Sequence, residues 1–429
     1  MRHPLLVVLM LLACSEEALP PVNVPPRDGA AVADVVTAED ASGDATSDAS
    51  SDATNDASSD VSSDASSDVS SDASSGNVTV CGMSVPREGA WRAEGSRIYL
   101  GDRVQPVWGL NWFGLETNDR APHGLWARPL EQFVDQVLML GFTALRIPVS
   151  PGSIRPGMAS ASWARRGDID TGREQLEALL DLCRARGLRV LLDFHTCDSS
   201  RIGGGLPGSP IACAGYTRDA WLGDLRELAA LAETYHPAVM GIDLCNEPHA
   251  LTWSAWRELA TAGAQAVLCR NPRTLVFVEG VGNASNNGGQ SVFWGENLTE
   301  AAAMPVDVPR ERLVYSPHVY GPSVARMPYF SASNFPANMP AIWDVHFGHL
   351  QRAGANVLIG EFCGWYDDSR AMGDVAWQDA IVAWMREREL RGYFYWALNP
   401  NSSDTGGILQ DDWRTPNTLK LMLLQRLMR

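Results

Sequence analysis

The chain has 429 residues, 45% of them hydrophobic, and a formal net charge of −17. Residues 15–76 hold fourteen Asp and Glu against Arg27 alone, so with Arg2 counted the rest of the chain carries only about −5. That balance gives no basic patch to recommend a nucleic acid, demands no charged substrate, and leaves a remainder long enough for one large α/β barrel of about 250 residues or more.

In chain order, Arg2, His3, the apolar residues 5–12 and the string Leu11-Leu-Ala-Cys14 read as an export signal. A cysteine directly after such a run resembles the bacterial lipobox, so Cys14 is expected to become the lipidated first residue of an exported lipoprotein at the outer membrane or cell surface. The run is too short to span a bilayer, which takes roughly 20 apolar residues. Residues 15–76 follow as a disordered Ser/Asp/Ala-rich linker, because eight Asp from Asp44 to Asp72 recur at every fourth position among poor helix formers. At about 5 to 6 Å × √n this tether reaches about 45 Å. Residues 77–429 are expected to fold. Strands are predicted at 104–112, 143–149, 188–194, 239–245, 274–279, 312–319, 356–361 and 392–397. Helices are predicted at 128–140, 172–186, 218–235, 252–270, 340–353, 373–388 and 416–428. Eight strands alternating with helices favour a (β/α)8 TIM barrel over an open sheet. Cys197 and Cys213 flank a Gly/Pro-rich loop and are the expected disulfide; Cys183, Cys245 and Cys269 fall in apolar runs as buried thiols.

Glu247 lies in Gly241-Ile-Asp-Leu-Cys-Asn-Glu-Pro-His249 and Glu361 in Asn356-Val-Leu-Ile-Gly-Glu-Phe362. In each, a strand-like apolar run delivers a carboxylate at its C-terminal edge, where a barrel collects its reactive groups. Two such carboxyls brought together form the apparatus that cleaves a glycosidic bond. Arg146, His195, His318 and Trp396 could each be structural alone, yet with these glutamates they place a polar or aromatic group at the end of strands 2, 3, 4, 6, 7 and 8. Fifteen tryptophans exceed what a core needs, and Trp112, Trp294 and Trp365 are candidate platforms for sugar faces. No CxxC or His/Cys cluster suggests a metal, and no cofactor is expected.

The motifs Asn246-Glu-Pro248, His318-Val-Tyr320 and Gly360-Glu-Phe362, with Gly109-Leu-Asn-Trp-Phe-Gly-Leu-Glu116, His123-Gly-Leu-Trp126 and Asp404-Thr-Gly-Gly-Ile-Leu-Gln-Asp-Asp-Trp413, resemble glycoside hydrolase family 5, in particular its bacterial endo-β-1,4-glucanases. The resemblance covers residues 90 to 425. It implies that Glu247 is the acid/base and Glu361 the nucleophile of a retaining reaction, with carboxyls about 5 to 5.5 Å apart. It further implies that Asn246 binds the 2-hydroxyl, Arg146 and Tyr320 hold Glu361 anionic, His195 and His318 support the site, and Trp396 faces the sugar. Asn118 stands where relatives carry a cysteine, and His195-Thr-Cys-Asp198 replaces an arginine-rich stretch, so the cleft loop from 199 to 216 is expected to differ. The partner expected is a β-1,4-glucan polymer or oligosaccharide, cut by a monomer. Mannan, xyloglucan or mixed-linkage glucan cleaved by the same machinery is the first alternative, and a lipoprotein that binds glycan without cleaving it is the second.

Overall fold

The computed structural model describes residues 78–282 and 291–428; the expected signal and linker lie outside them. A hairpin of β1 (Val78–Val80) and β2 (Met83–Val85) comes first, then a three-stranded antiparallel sheet of β3 (Trp91–Glu94), β4 (Arg97–Leu100) and β5 (Arg103–Gln105). The barrel follows with β6 (Trp108–Asn111), β7 (Ala144–Val149), β8 (Arg189–Phe194), β9 (Val239–Asp243), β10 (Leu275–Val278), β11 (Leu313–Tyr315), β12 (His318–Tyr320), β13 (Ile359–Cys363) and β14 (Tyr393–Tyr395). All neighbouring barrel strands are parallel, and β14 pairs with β6. β11 and β12 are two halves of the sixth barrel strand, interrupted at Ser316-Pro317. A parallel bridge from Tyr315 to Val357 and the Gly360 N–H donating to Pro317 O at 3.0 Å carry the sheet across the break and close it. The molecule is thus a (β/α)8 barrel.

The predicted strand at 104–112 needs correction. Pro106, which has no N–H to give a ladder, divides it, so that β5 belongs to the antiparallel sheet and β6 to the barrel. That small sheet covers the N-terminal mouth: Trp91, Ala93 and Ile98 pack with Ala144, Leu191, Met240, Leu275, Val314, Leu358 and Phe394 near the starts of the barrel strands. With that end filled by side chains, the opposite end is left for chemistry.

The helices are α1 (Leu130–Met139), α2 (Pro151–Ile154), α3 (Gly172–Arg186), α4 (Arg218–Thr234), α5 (Trp253–Arg270), α6 (Met339–Trp343), α7 (His349–Arg352), α8 (Asp374–Glu387) and α9 (Thr418–Gln425). α3 shows why the sequence marked its ends so well. Thr171 accepts from Glu174 N, Glu174 accepts in return from Thr171 N, and Gly187 closes the helix at φ 74°. The predicted helix at 340–353 is interrupted by one π turn, Asp344–Gly348, between α6 and α7. That turn carries the buried His346, whose Nδ1 lies 2.8 Å from Glu296.

Cys197 and Cys213 form a disulfide, and Cys183, Cys245 and Cys363 are buried free thiols. Cys269, expected as a buried thiol, is instead bonded to Cys81 across 188 residues, tying the first hairpin to α5. A bridge of that span restricts the unfolded chain strongly. Cys81→Ser is therefore expected to cost about 2–4 kcal/mol, read as a lower thermal midpoint under oxidising conditions. Wild type and variant should converge once both are reduced.

Candidate active site

Arg146 is the centre of the site. It lies third in β7, a strand buried along its whole length. Its Nη1 donates to Glu361 at 2.5 Å and to Asn111 Oδ1 at 3.1 Å, while its Nη2 donates to Asn246 Oδ1 and to Glu279, each at 3.0 Å. Nε donates to Asp243 at 3.2 Å, and Asp193 lies 3.1 Å from Nη2. Burial works against this guanidinium, but Asp193, Asp243, Glu361 and Glu279 together hold its pKa well above the ordinary value. It is a permanent cation under a cluster of carboxyls.

Glu361, third in β13, accepts from Arg146 on one oxygen and from the Tyr320 hydroxyl on the other. Glu247 follows β9 at φ +47° with its side chain 16% exposed, against 3% for Glu361. His318 stands between them, its Nδ1 3.3 Å from Glu247 and 3.5 Å from Glu361. Ligand atoms of Glu247, His318 and Glu361 all lie within 4.8 Å of one another, so the two carboxyls approach closely from positions 114 residues apart.

The two environments differ in the direction that acid–base chemistry requires. Burial, then the charge of Glu361, lifts Glu247 well above the usual carboxylate range. Burial also raises Glu361, but Arg146, His195 and the Tyr320 hydrogen bond pull it back. Burial drives the His318 pKa down and leaves a neutral imidazole. For His195 burial opposes the charged form and is outweighed by Asp193, 2.6 Å from Nδ1, so its pKa is raised. Asn246 directs its carbonyl oxygen to Arg146, which turns its amide donors elsewhere.

The aromatic expectations divide. Trp396 is partly open, nearly parallel to Phe113 at 5.4 Å and to His195 at 5.9 Å, with its indole N–H donating to Ser402 at 3.2 Å. Trp294 is partly open too, but the ring of His249 covers one face at 3.7 Å. Trp112 is a correction: it is 1% exposed, packed on Phe133, with its N–H donating to His123 O, and presents no face to a ligand. Trp365 holds loops together, with the Arg370 guanidinium 4.0 Å over its ring and Gly406 pressed against its six-membered ring. Trp126, which was not singled out as a platform, is 47% exposed and stands edge-on to Trp163 and Trp413. Its signal was its place in His123-Gly-Leu-Trp126.

Asp193, Asp243, Glu279 and Asn111 were also missed as members of the site. Among the described residues, two groups have ligand atoms spaced for a metal, Asp243/Glu279/His318 and Glu247/His318/Glu361. In each, Arg146 already donates to a member carboxylate and supplies the positive charge.

A parallel barrel carrying two unlike carboxyls face to face at its strand ends is the structure of a glycoside hydrolase. The family model for cellulase, glycosyl hydrolase family 5, matches residues 100–402. The major extracellular endoglucanase of Xanthomonas campestris pv. campestris is 42% identical over 340 residues, covering 76% of this chain and 68% of the relative. An endoglucanase of Paenibacillus polymyxa is 38% identical over 338 residues, covering 75% and 82%. Among solved structures, the catalytic domain of the Xanthomonas enzyme superposes with TM-score 0.72 at 40% identity, covering 79% of this chain and 99% of that one. A Pyrococcus horikoshii endocellulase complexed with cellotetraose gives 0.74 at 34%, covering 80% and 99%. The chain belongs to glycosyl hydrolase family 5.

Proposed function

We propose that this protein is an endo-acting β-1,4-glucanase that retains anomeric configuration, with Glu361 as nucleophile and Glu247 as acid/base. The observation that carries the reading is the close approach of that pair, with one oxygen of each within 4.8 Å of the other. Retaining glycosidases hold their carboxyls at about 5–5.5 Å, whereas inverting ones leave about 6.5–9.5 Å for a water. The relatives named endoglucanase and the neighbour that binds cellotetraose supply the substrate class.

In the first step ionised Glu361 attacks the anomeric carbon while protonated Glu247 gives its proton to the leaving oxygen. In the second, Glu247, now the base, takes a proton from the water that releases the sugar from Glu361. Arg146 and the Tyr320 hydroxyl hold Glu361 aligned through both steps, Asn246 offers its amide to the 2-hydroxyl, and Trp396 lies beneath the ring. Activity rises with pH as Glu361 loses its proton and falls as Glu247 loses its own, so the profile is a bell whose limbs belong to the coupled pair. Reducing ends released from carboxymethylcellulose, mannan and barley glucan test the assignment. Inactivity on every β-1,4-glucan overturns it. Glu247→Ala is expected to lose about 10²–10⁴-fold in kcat/KM on cellotetraose, and far less on 2,4-dinitrophenyl β-cellobioside, whose leaving group needs no proton.

The protein is read as exported, in keeping with two disulfides and with a relative described as extracellular. The finer reading is a lipid anchor at Cys14 followed by the acidic tether of residues 15–76, presenting a monomeric catalytic barrel of residues 77–429. Cys14→Ser is expected to move the protein from the membrane fraction to the soluble one in its native host. Retention in membranes would count against the anchor.

A further inference from the structure

Glu279 directly follows β10 as a fully buried acid with no assigned role in the double displacement. Its backbone is fixed by the Trp256 indole N–H, which donates to its carbonyl at 2.9 Å. Both side-chain oxygens are engaged. Oε2 accepts from the backbone N–H of Glu247 at 2.8 Å, and Oε1 accepts from Arg146 Nη2 at 3.0 Å, with His318 Nε2 3.2 Å away. One carboxylate therefore touches the peptide that carries one glutamate, the guanidinium that serves the other, and the histidine between them. Asp193 and Asp243 share the same guanidinium.

Glu247 needs such a support. Its φ of +47° is a left-handed conformation that is strained for a non-glycine residue and persists only where neighbours over-determine it. On its other side the Glu247 carbonyl lies 2.8 Å from His249 Nδ1, so both polar atoms of this residue's backbone are held. Room for Glu279 to swing away is absent, since a Cβ at Gly295 would stand 2.5 Å from Oε2. A one-ångström displacement of an acid can cost about 100-fold in rate.

We propose that Glu279 is a positioning residue for proton transfer, holding the backbone of Glu247 so that its carboxyl meets the glycosidic oxygen while tying it to the Arg146 that aligns Glu361. This rests on the acid/base assignment of Glu247. Burial, then Asp243, raises the Glu279 pKa and Arg146 opposes them. Both of its oxygens accept from N–H donors, so an amide would turn its own NH2 against either Glu247 N–H or Arg146.

Glu279→Gln is tested on cellotetraose, whose alcohol leaving group needs a proton, and on 2,4-dinitrophenyl β-cellobioside, whose phenolate leaves unaided. The expected kcat/KM loss is about 100-fold on the first and below about 5-fold on the second, with cellotetraose binding nearly unchanged. Equal losses on both substrates mean a merely structural role and overturn the proposal, as does no loss on either. Glu247→Ala assayed alongside separates the failures. If it shows no dependence on leaving group, the acid assignment falls and this inference with it; dependence there without dependence in Glu279→Gln sinks this inference alone. Should Glu279→Gln not fold, Glu279→Asp keeps both acceptors but withdraws them by one methylene, and the same two substrates decide.

Discussion

Glu361→Ala is expected to lower turnover of β-1,4-glucan on the order of 10⁶-fold, the scale seen when a covalent hydrolase loses its nucleophile, while cellotetraose still binds. The side chain stands in line between a fixed cation and a hydroxyl donor, Arg146 and Tyr320, and no second group in the site is so held. Truncation also opens a space on the face of the sugar from which attack comes. Azide admitted there should attack once and give the α-glycosyl azide from 2,4-dinitrophenyl β-cellobioside, whereas Glu247→Ala with azide should give the β product through an intact glycosyl-enzyme. After burial, the Glu361 charge is the largest influence raising Glu247. Its removal should let Glu247 titrate at lower pH in Glu361→Ala than in wild type, as read by carbon-13 NMR of the labelled Glu247 carboxyl. Undiminished hydrolysis of the aryl cellobioside by Glu361→Ala would remove Glu361 from the mechanism.

Much of this was legible because barrel strands buried on both faces read as apolar runs, and because caps such as Thr171, Glu174 and Gly187 mark helix ends locally. The chemistry-bearing motifs were visible for a related reason: a carboxylate after an apolar run has few structural uses. The buried ionic cluster was harder to see. Asp193 lies in β8 two before His195, and Asp243 is the last residue of β9 two after Gly241, so a period of two along each strand was enough to put both aspartates on one face. That signal was present and was masked by attention to strand ends. Register supplies what spacing cannot: Asp193 pairs with Asp243, and Asn111 with Arg146. The Cys81–Cys269 bridge had no local signal, since 188 residues and the first half of the barrel lie between its partners. Trp112 was misjudged because composition counts tryptophans without telling a ring under the cleft from a ring in it.

Arg146→Ala is expected to be the most destabilising single change in the site. It removes the guanidinium that lies against Asp193, Asp243, Glu279 and Glu361, all buried, and breaking a buried pair costs about 3–5 kcal/mol. Against a total stability of about 5–15 kcal/mol, a variant that strips this cluster of acids of its shared guanidinium stands near unfolding. The loss should depend on pH with a definite sign. Burial already lifts Asp243 to about 7 and raises Glu279 and Glu361, with Arg146 opposing it at each, so removing the guanidinium raises the folded-state pKa of these three acids further. An acid whose folded pKa lies above its unfolded value binds more protons when folded, so its contribution is intact in acid and drains away as pH rises from about 4 upward. Urea unfolding should therefore show variant and wild type closest near pH 4 and increasingly separated toward pH 8. A gap independent of pH would mean that the guanidinium acts by packing alone. Arg146→Lys should fall between the two, because one ammonium with three protons cannot reach Asn111, Asn246, Asp243, Glu279 and Glu361 together, as the planar fork does. If lysine restores stability without restoring turnover, the charge of Arg146 maintains the fold and its geometry serves Glu361.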